Sequence, residues 1–196
     1  MLLWVCVMCA IGVPAQTFSL AEGDLLFCVS KRGNDITAVT EGLEGRSIDH
    51  VAIVHRDGKR VFALEAIHKG VRLTPIDSFM KRRDSLVVHA RLRDTTGVCF
   101  SVRRALRWLG RPYDFFFMPD DSAFYCSELV QKSYRDANGQ LIFKPIPMSF
   151  HDKTGRVTKH WRDYYAANGL TVPEGEPGSN PGALSRSDKI VVLRWP

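Results

Sequence analysis

Cys126 and His50 are the residues whose types and positions point to chemistry. A cysteine nucleophile needs a lowered thiol pKa, an imidazole to take its proton, and a group that orients the imidazole. Cys126 lies in Phe124-Tyr125-Cys126-Ser127-Glu128-Leu129-Val130, where an apolar helical pattern begins. The start of a helix carries partial positive charge and unpaired N–H groups. Both favour a thiolate, and the N–H groups can bind an oxyanion. His50 opens the β-rich run His50-Val51-Ala52-Ile53-Val54, and a second run, Val61-Phe62-Ala63-Leu64-Glu65, follows Asp57-Gly58. Asp-Gly between two such runs is a strong hairpin signal. With Asp57 and Gly58 as the central turn residues, Arg56 faces Lys59 and His50 faces Glu65. Directly opposed residues share one face, with Cβ atoms roughly 5 Å apart. A carboxylate there can fix the tautomer of the imidazole and stabilise its charged form.

The other histidines lack such a partner in the pattern. His55 falls opposite Arg60 near the turn, and His68, His89, His151 and His160 have no evident carboxylate nearby. No Cys-x-x-Cys or His-rich spacing calls for a metal, so neither metal nor organic cofactor is expected. The formal charge of +6 is scattered, with short clusters at Lys81-Arg82-Arg83 and Arg103-Arg104. That argues against nucleic acid and suits an anionic envelope surface. Residues 1–15 read as a signal peptide: Leu2 to Val13 are almost all apolar, too short for a full span, and Val13-Pro14-Ala15 resembles a cleavage site. An exported protein is expected, periplasmic or in the cell envelope. Cys28, Cys99 and Cys126 then remain. A Cys28–Cys99 disulfide is conceivable, but two buried thiols are the expected state.

The elements that must hold the site follow from periodicity. Strands are expected at Leu25–Val29, on either side of Asp57-Gly58, at Gly70–Pro75, at Ser85–Arg91 and at Ile190–Trp195. Helical patterns cover Val98–Leu109, Ala123–Ala137 and His160–Asn168. Residues 31–47 read as a loop with at most a short helix, and 172–187, rich in Pro, Gly and Ser, as a surface excursion. The order gives an α+β fold, with residues 16–196 as one domain.

Five segments together resemble the permuted NlpC/P60 papain-like cysteine hydrolases, most closely the YiiX/YebB-like group. They are Gly23-Asp24-Leu25-Leu26-Phe27, Asp49-His50-Val51-Ala52-Ile53-Val54, Leu64-Glu65-Ala66 with Gly70-Val71, Leu109-Gly110-Arg111-Pro112-Tyr113-Asp114, and Tyr125-Cys126-Ser127-Glu128-Leu129-Val130. In the ordinary papain-like order the cysteine comes first; here, as in the permuted group, the histidine precedes it. The resemblance implies an antiparallel sheet or barrel packed against helices. It also implies Cys126 as nucleophile, His50 as base, Glu65 as third member and Tyr125 as a shaper of the oxyanion region or pocket. Tyr113 and Phe115–Phe117 are candidate substrate walls, and Asp114 a candidate anchor for a substrate amine; the competing reading is that the phenylalanines are core and Asp114 caps a turn. The expected activity is hydrolysis of an amide in a cell-wall peptide or a lipid-linked amino acid. The alternatives are a lipid acyltransferase on the same scaffold and a non-catalytic envelope-binding module. Residues 151–187 match no motif of the group.

Overall fold

The computed structural model describes residues 19–82 and 87–194; the expected signal segment lies outside them. Six strands form one antiparallel sheet: β1 (Leu25–Val29), β2 (Ile48–Asp57), β3 (Arg60–Ile67), β4 (Gly70–Pro75), β5 (Val87–Leu92) and, last in the chain, β8 (Ile190–Arg194). Their order is β4-β3-β2-β1-β5-β8. A two-stranded ribbon of β6 (Ile146–Pro147) and β7 (Pro177–Gly178) stands apart. The helices are α1 (Asp35–Val39), α2 (Ile76–Arg82), α3 (Val98–Leu106), α4 (Cys126–Ser133), α5 (Lys159–Ala167) and α6 (Pro181–Ser185).

Strand alternation sorts the core into two layers. Leu25, Phe27, Val51, Ile53, Leu64 and Ala66 face α3 and α4, and cluster with Val102, Leu129 and Val130. Leu26, Cys28, Ala52, Val54 and Ala63 face the other way and pack with Phe79 of α2. A period of two turns each central strand into a wall between these layers, which is why their apolar runs are nearly continuous.

Most elements lie where the pattern puts them, and four findings differ. Helix α2 carries only one fully buried side chain, Phe79, so its apolar stripe is too thin to read from sequence. Helix α4 starts at Cys126 rather than three residues earlier. Residues 172–187 are not a surface excursion: they carry β7 and α6, whose Pro181, Gly182, Leu184 and Ser185 are buried. A Cβ on Gly182 would lie 2.5 Å from the Glu41 carbonyl oxygen, so this close approach requires glycine. Cys28 and Cys99 form no disulfide, and while Cys28 is buried, Cys99 is exposed on α3. The first residues of the strand expected at 85–91 fall outside the described residues.

One buried ion cluster ties the sheet together. Asp24, at the head of β1, accepts from Arg91 Nε at 2.6 Å, pairs with His89 Nε2 at 2.6 Å and accepts from the Ala21 N–H at 2.8 Å. His89 therefore does have a carboxylate partner. It comes from 65 residues away, beyond the reach of a local pattern. Burial alone would raise the Asp24 pKa, but the hydrogen bonds from Arg91 and His89 outweigh it and hold the carboxyl below its ordinary range. Asp24→Asn should cost about 2–4 kcal/mol, because it leaves buried donors without their anion. A lowered urea midpoint at unchanged m-value is the expected observation.

Candidate active site

Cys126 is the first residue of α4, and the chain arrives there in an extended conformation at Tyr125 (φ −97°, ψ 168°) with no side-chain cap. The first-turn N–H groups thus receive no acceptor from the capping residue. The approach is pinned from the side. Phe124 N–H donates to the Pro112 carbonyl at 3.0 Å and Asp114 N–H to the Phe124 carbonyl at 3.2 Å, making a parallel bridge between Tyr113 and Phe124. That bridge brings Tyr113 beside Cys126. At its far end α4 is anchored by Tyr134, whose hydroxyl donates to the Gly23 carbonyl at 2.8 Å. Gly23 in turn donates to the Val54 carbonyl. Helix α4 packs on β2 and β3, and β2 beyond His55 is exposed. Its Cys126 end therefore lies toward the end of β2 that carries His50.

His50 and Glu65 are joined, although the expected register is not the observed one. The turn is Gly58-Lys59, with Asp57 paired to Arg60, and the ladder runs back only as far as Ile53–Leu64. Gly58, at φ +59°, supplies the left-handed residue such a turn requires. The turn has slid one residue along the chain while keeping its length, which moves every partner by two. A shift of two preserves the face; a shift of one would have reversed it. His50 and Glu65 thus meet diagonally, within reach of long side chains. They do so where β2 and β3 have left their common ladder. His50 Nε2 lies 2.7 Å from Glu65 Oε2, with both groups in the interior.

The irregularity on the other side of β2 adds to this. The β1–β2 register shifts between Cys28 and Val29, so that Asp49 is an extra residue next to His50. Such bulges bend a strand and re-aim its side chains. The His50 ring lies 6.5 Å from that of Phe79.

Glu65 is held from three sides. Besides His50 it accepts from Thr74 Oγ1 at 2.7 Å and from Arg82 at 2.5 Å. Burial would raise its pKa, but the His50 partner, Arg82 and Thr74 bring it down to about 2. It is therefore a permanent anion beside the imidazole. Thr74 shares a sheet face with Glu65 by alternation on β4; Arg82, at the end of α2, had no signal in the sequence.

The remaining candidates gather around a pocket beside Cys126. Tyr113, Phe117, Tyr125, Cys126 and Ser127 line it, together with Ile36 and Val39 of α1, Met148, Phe150, Trp161 of α5, and Ser179–Pro181. The Tyr125 hydroxyl accepts from the Ser179 N–H at 3.0 Å. Burial holds the Tyr113 and Tyr125 phenols well above their ordinary range, and the charge of a Cys126 thiolate adds to both. Both stay protonated as donors at neutral pH.

Asp114 is placed as the competing reading has it, capping a turn. It is not on the pocket wall. Its Oδ1 accepts from the Phe116 N–H at 2.8 Å, which fastens its own loop, and burial raises its pKa. Of the three phenylalanines, only Phe117 lines the pocket; Phe115 is half exposed and Phe116 stacks near Tyr164. Glu128 is also buried, and burial raises its pKa to about 7 against the opposing bond from Lys132. Trp161 and Ser179–Pro181, from the 151–187 region without a matched motif, complete the pocket wall beside Ile146 and Met148–Phe150.

The family profile of the permuted papain-like amidases (YaeF/YiiX, C92 family) matches residues 19–190. This chain belongs to that family. It is 25% identical to the uncharacterized protein YiiX of Escherichia coli K12 over 194 residues, covering 95% of this chain and 93% of that one. Its fold matches the crystal structure of metalloprotein yiiX from Escherichia coli O157:H7, with a TM-score of 0.73 at 23% identity, over 89% of this chain and 98% of the other. Membership in the amidase family makes this protein a cysteine hydrolase. Among the described residues, no group of three or more His, Cys, Asp or Glu side chains converges as a metal site would need.

Proposed function

We propose that the protein hydrolyses an amide through a thioester on Cys126. His50 acts as general base and acid, and Glu65 as the anion that orients it. The observation that carries this reading is the buried His50 Nε2–Glu65 Oε2 contact of 2.7 Å. An anionic Glu65 holds the proton on Nε2 and leaves Nδ1 as the basic nitrogen. His50 and Glu65 lie where β2 and β3 have left their common ladder, and Cys126 opens the helix that packs on those two strands.

The thiol proton passes to His50 Nδ1 and the sulfur attacks the amide carbonyl carbon. Negative charge develops on the carbonyl oxygen, where the uncapped N–H groups of the first turn of α4 stabilise it. His50 returns the proton to the departing amine as the C–N bond breaks, leaving a thioester. Water, deprotonated by His50, then releases the carboxylic acid and restores the thiol.

A peptide amide of the cell wall or a lipid-linked amino acid is the proposed substrate, and the cell envelope the proposed site of action. The apolar stretch Leu2–Val13 and the net charge of +6 support that location. The apolar pocket beside Cys126 supports one second reading, in which an amine or alcohol replaces water as acceptor. Product analysis with and without an added amine separates the two.

The nucleophile is tested by alkylation. Carbamidomethylation of Cys126 by iodoacetamide at pH 6–7 should be faster than that of a model thiol. In His50→Ala its rate should fall at least tenfold there. A wild-type profile that follows a model thiol and is unchanged in His50→Ala would refute the activated-cysteine reading.

A further inference from the structure

We infer that the pocket beside Cys126 receives the acyl half of the substrate and selects an apolar acyl group. This rests on the proposed thioester mechanism. The argument starts from which half of an amide must lie where. The departing amine takes its proton from His50, so it leaves on the His50 side of the sulfur. The acyl group stays bonded to Cys126 and must occupy the other side. The pocket that Cys126 lines contains neither His50 nor Glu65 in its wall; Tyr113, Tyr125 and Ser127 border the cysteine there instead.

The chemistry of that wall is apolar. Ile36, Val39, Phe117, Met148, Phe150 and Trp161 form its apolar part, beside neutral polar groups such as Thr40, Ser149 and Asn180, and no Lys, Arg, Asp or Glu is part of it. A charged acyl substituent would lose its hydration there without gaining a partner.

The wall is also a constructed feature. Phe117 has φ +53°, a left-handed conformation that costs a bulky residue of order 1 kcal/mol or more. It is kept there by its surroundings. The Phe117 ring meets Tyr125 edge-on at 5.1 Å and Trp161 edge-on at 5.7 Å. The hydroxyls of Tyr164 and Tyr165 donate to the carbonyls of Phe115 and Phe116, which fastens this loop to α5. Trp161 Nε1 donates to the Asp35 carbonyl at 3.2 Å and so fastens α5 to α1. Three separate parts of the chain are thus tied around one apolar space next to the sulfur.

The test is a series of coumarin amides with acetyl, butanoyl, hexanoyl, octanoyl and succinyl groups. Each buried methylene is worth about fourfold, so kcat/KM should rise at least tenfold from acetyl to hexanoyl, with succinyl at or below acetyl. Val39→Asp should lower the hexanoyl-to-acetyl ratio at least tenfold. A flat series, or one led by succinyl, with a thioester on Cys126 seen by intact mass, would overturn the inference while leaving the mechanism standing. A second measurement needs no chemistry: in Cys126→Ala, octanamide should quench or shift Trp161 emission at lower concentration than acetamide. No difference between them counts against the inference. Binding of octanamide with no thioester from any of the amides would overturn the nucleophile reading, and the acyl assignment with it.

Discussion

Cys126→Ala is expected to lower amide hydrolysis by about 10⁴-fold or more, while the protein stays folded. The first part follows from the mechanism. Without the sulfur there is no thioester, and what remains is whatever the N–H groups of α4 and the pocket offer to direct attack by water. The second part follows from packing. Cys126 is 4% exposed and belongs to the main core, but replacing a thiol by hydrogen removes one atom, and the small cavity left behind costs about 1 kcal/mol. Thermal unfolding followed by circular dichroism should therefore shift by only a few degrees. His50→Ala should show a comparable loss of turnover. The double variant should be little worse than either single one, because residues that act as a unit are not additive. Multiplying losses in the double variant would show that the two do not share one step.

Glu65 carries the second large effect, and it falls on stability and activity together. Its side chain is 0% exposed and anchors His50, Thr74 and Arg82. Glu65→Ala removes the only anion in that cluster and should cost about 3–5 kcal/mol. Glu65→Gln keeps the shape but loses the charge that holds the His50 tautomer, so kcat should drop by about 10²–10⁴ with a smaller change in KM. The pH dependence has a definite sign. The folded pKa is about 2 against an ordinary 4.5, so the stabilisation is fully present above about pH 4.5 and fades as pH falls toward 2. A shift of that size corresponds to about 3 kcal/mol. Urea midpoints measured from pH 6 down to pH 3 should fall in the wild type and fall less steeply in Glu65→Gln. Parallel slopes in the two proteins would contradict this assignment.

The two variants also discriminate between roles. Were Glu65 merely a structural anion, restoring stability with a ligand or osmolyte would restore turnover in Glu65→Gln. As the orienter of His50, it should leave turnover low in a fully folded protein.

How far this was legible from the chain depends on the range over which each interaction acts. Strand alternation, the Asp-Gly hairpin signal and the helical stripe after Tyr125 are local, since they reflect side-chain direction and backbone preference within a few residues. They were enough to pair His50, among six histidines, with Glu65 on one face. The choice of Glu65 survived a turn placed one residue off, because the slide moved partners by an even number. What local pattern could not supply is everything assembled from distant segments. Arg82 reaches Glu65 from α2, and His89 reaches Asp24 from the neighbouring strand β5. The apolar pocket draws on α1, α5 and the segment before α6. None of these has a period or a spacing, because such contacts are selected by packing between elements, and packing is defined only once the sheet has brought the elements together. The order of histidine before cysteine was readable in one dimension; the shape of the space beside the sulfur belongs to the folded molecule.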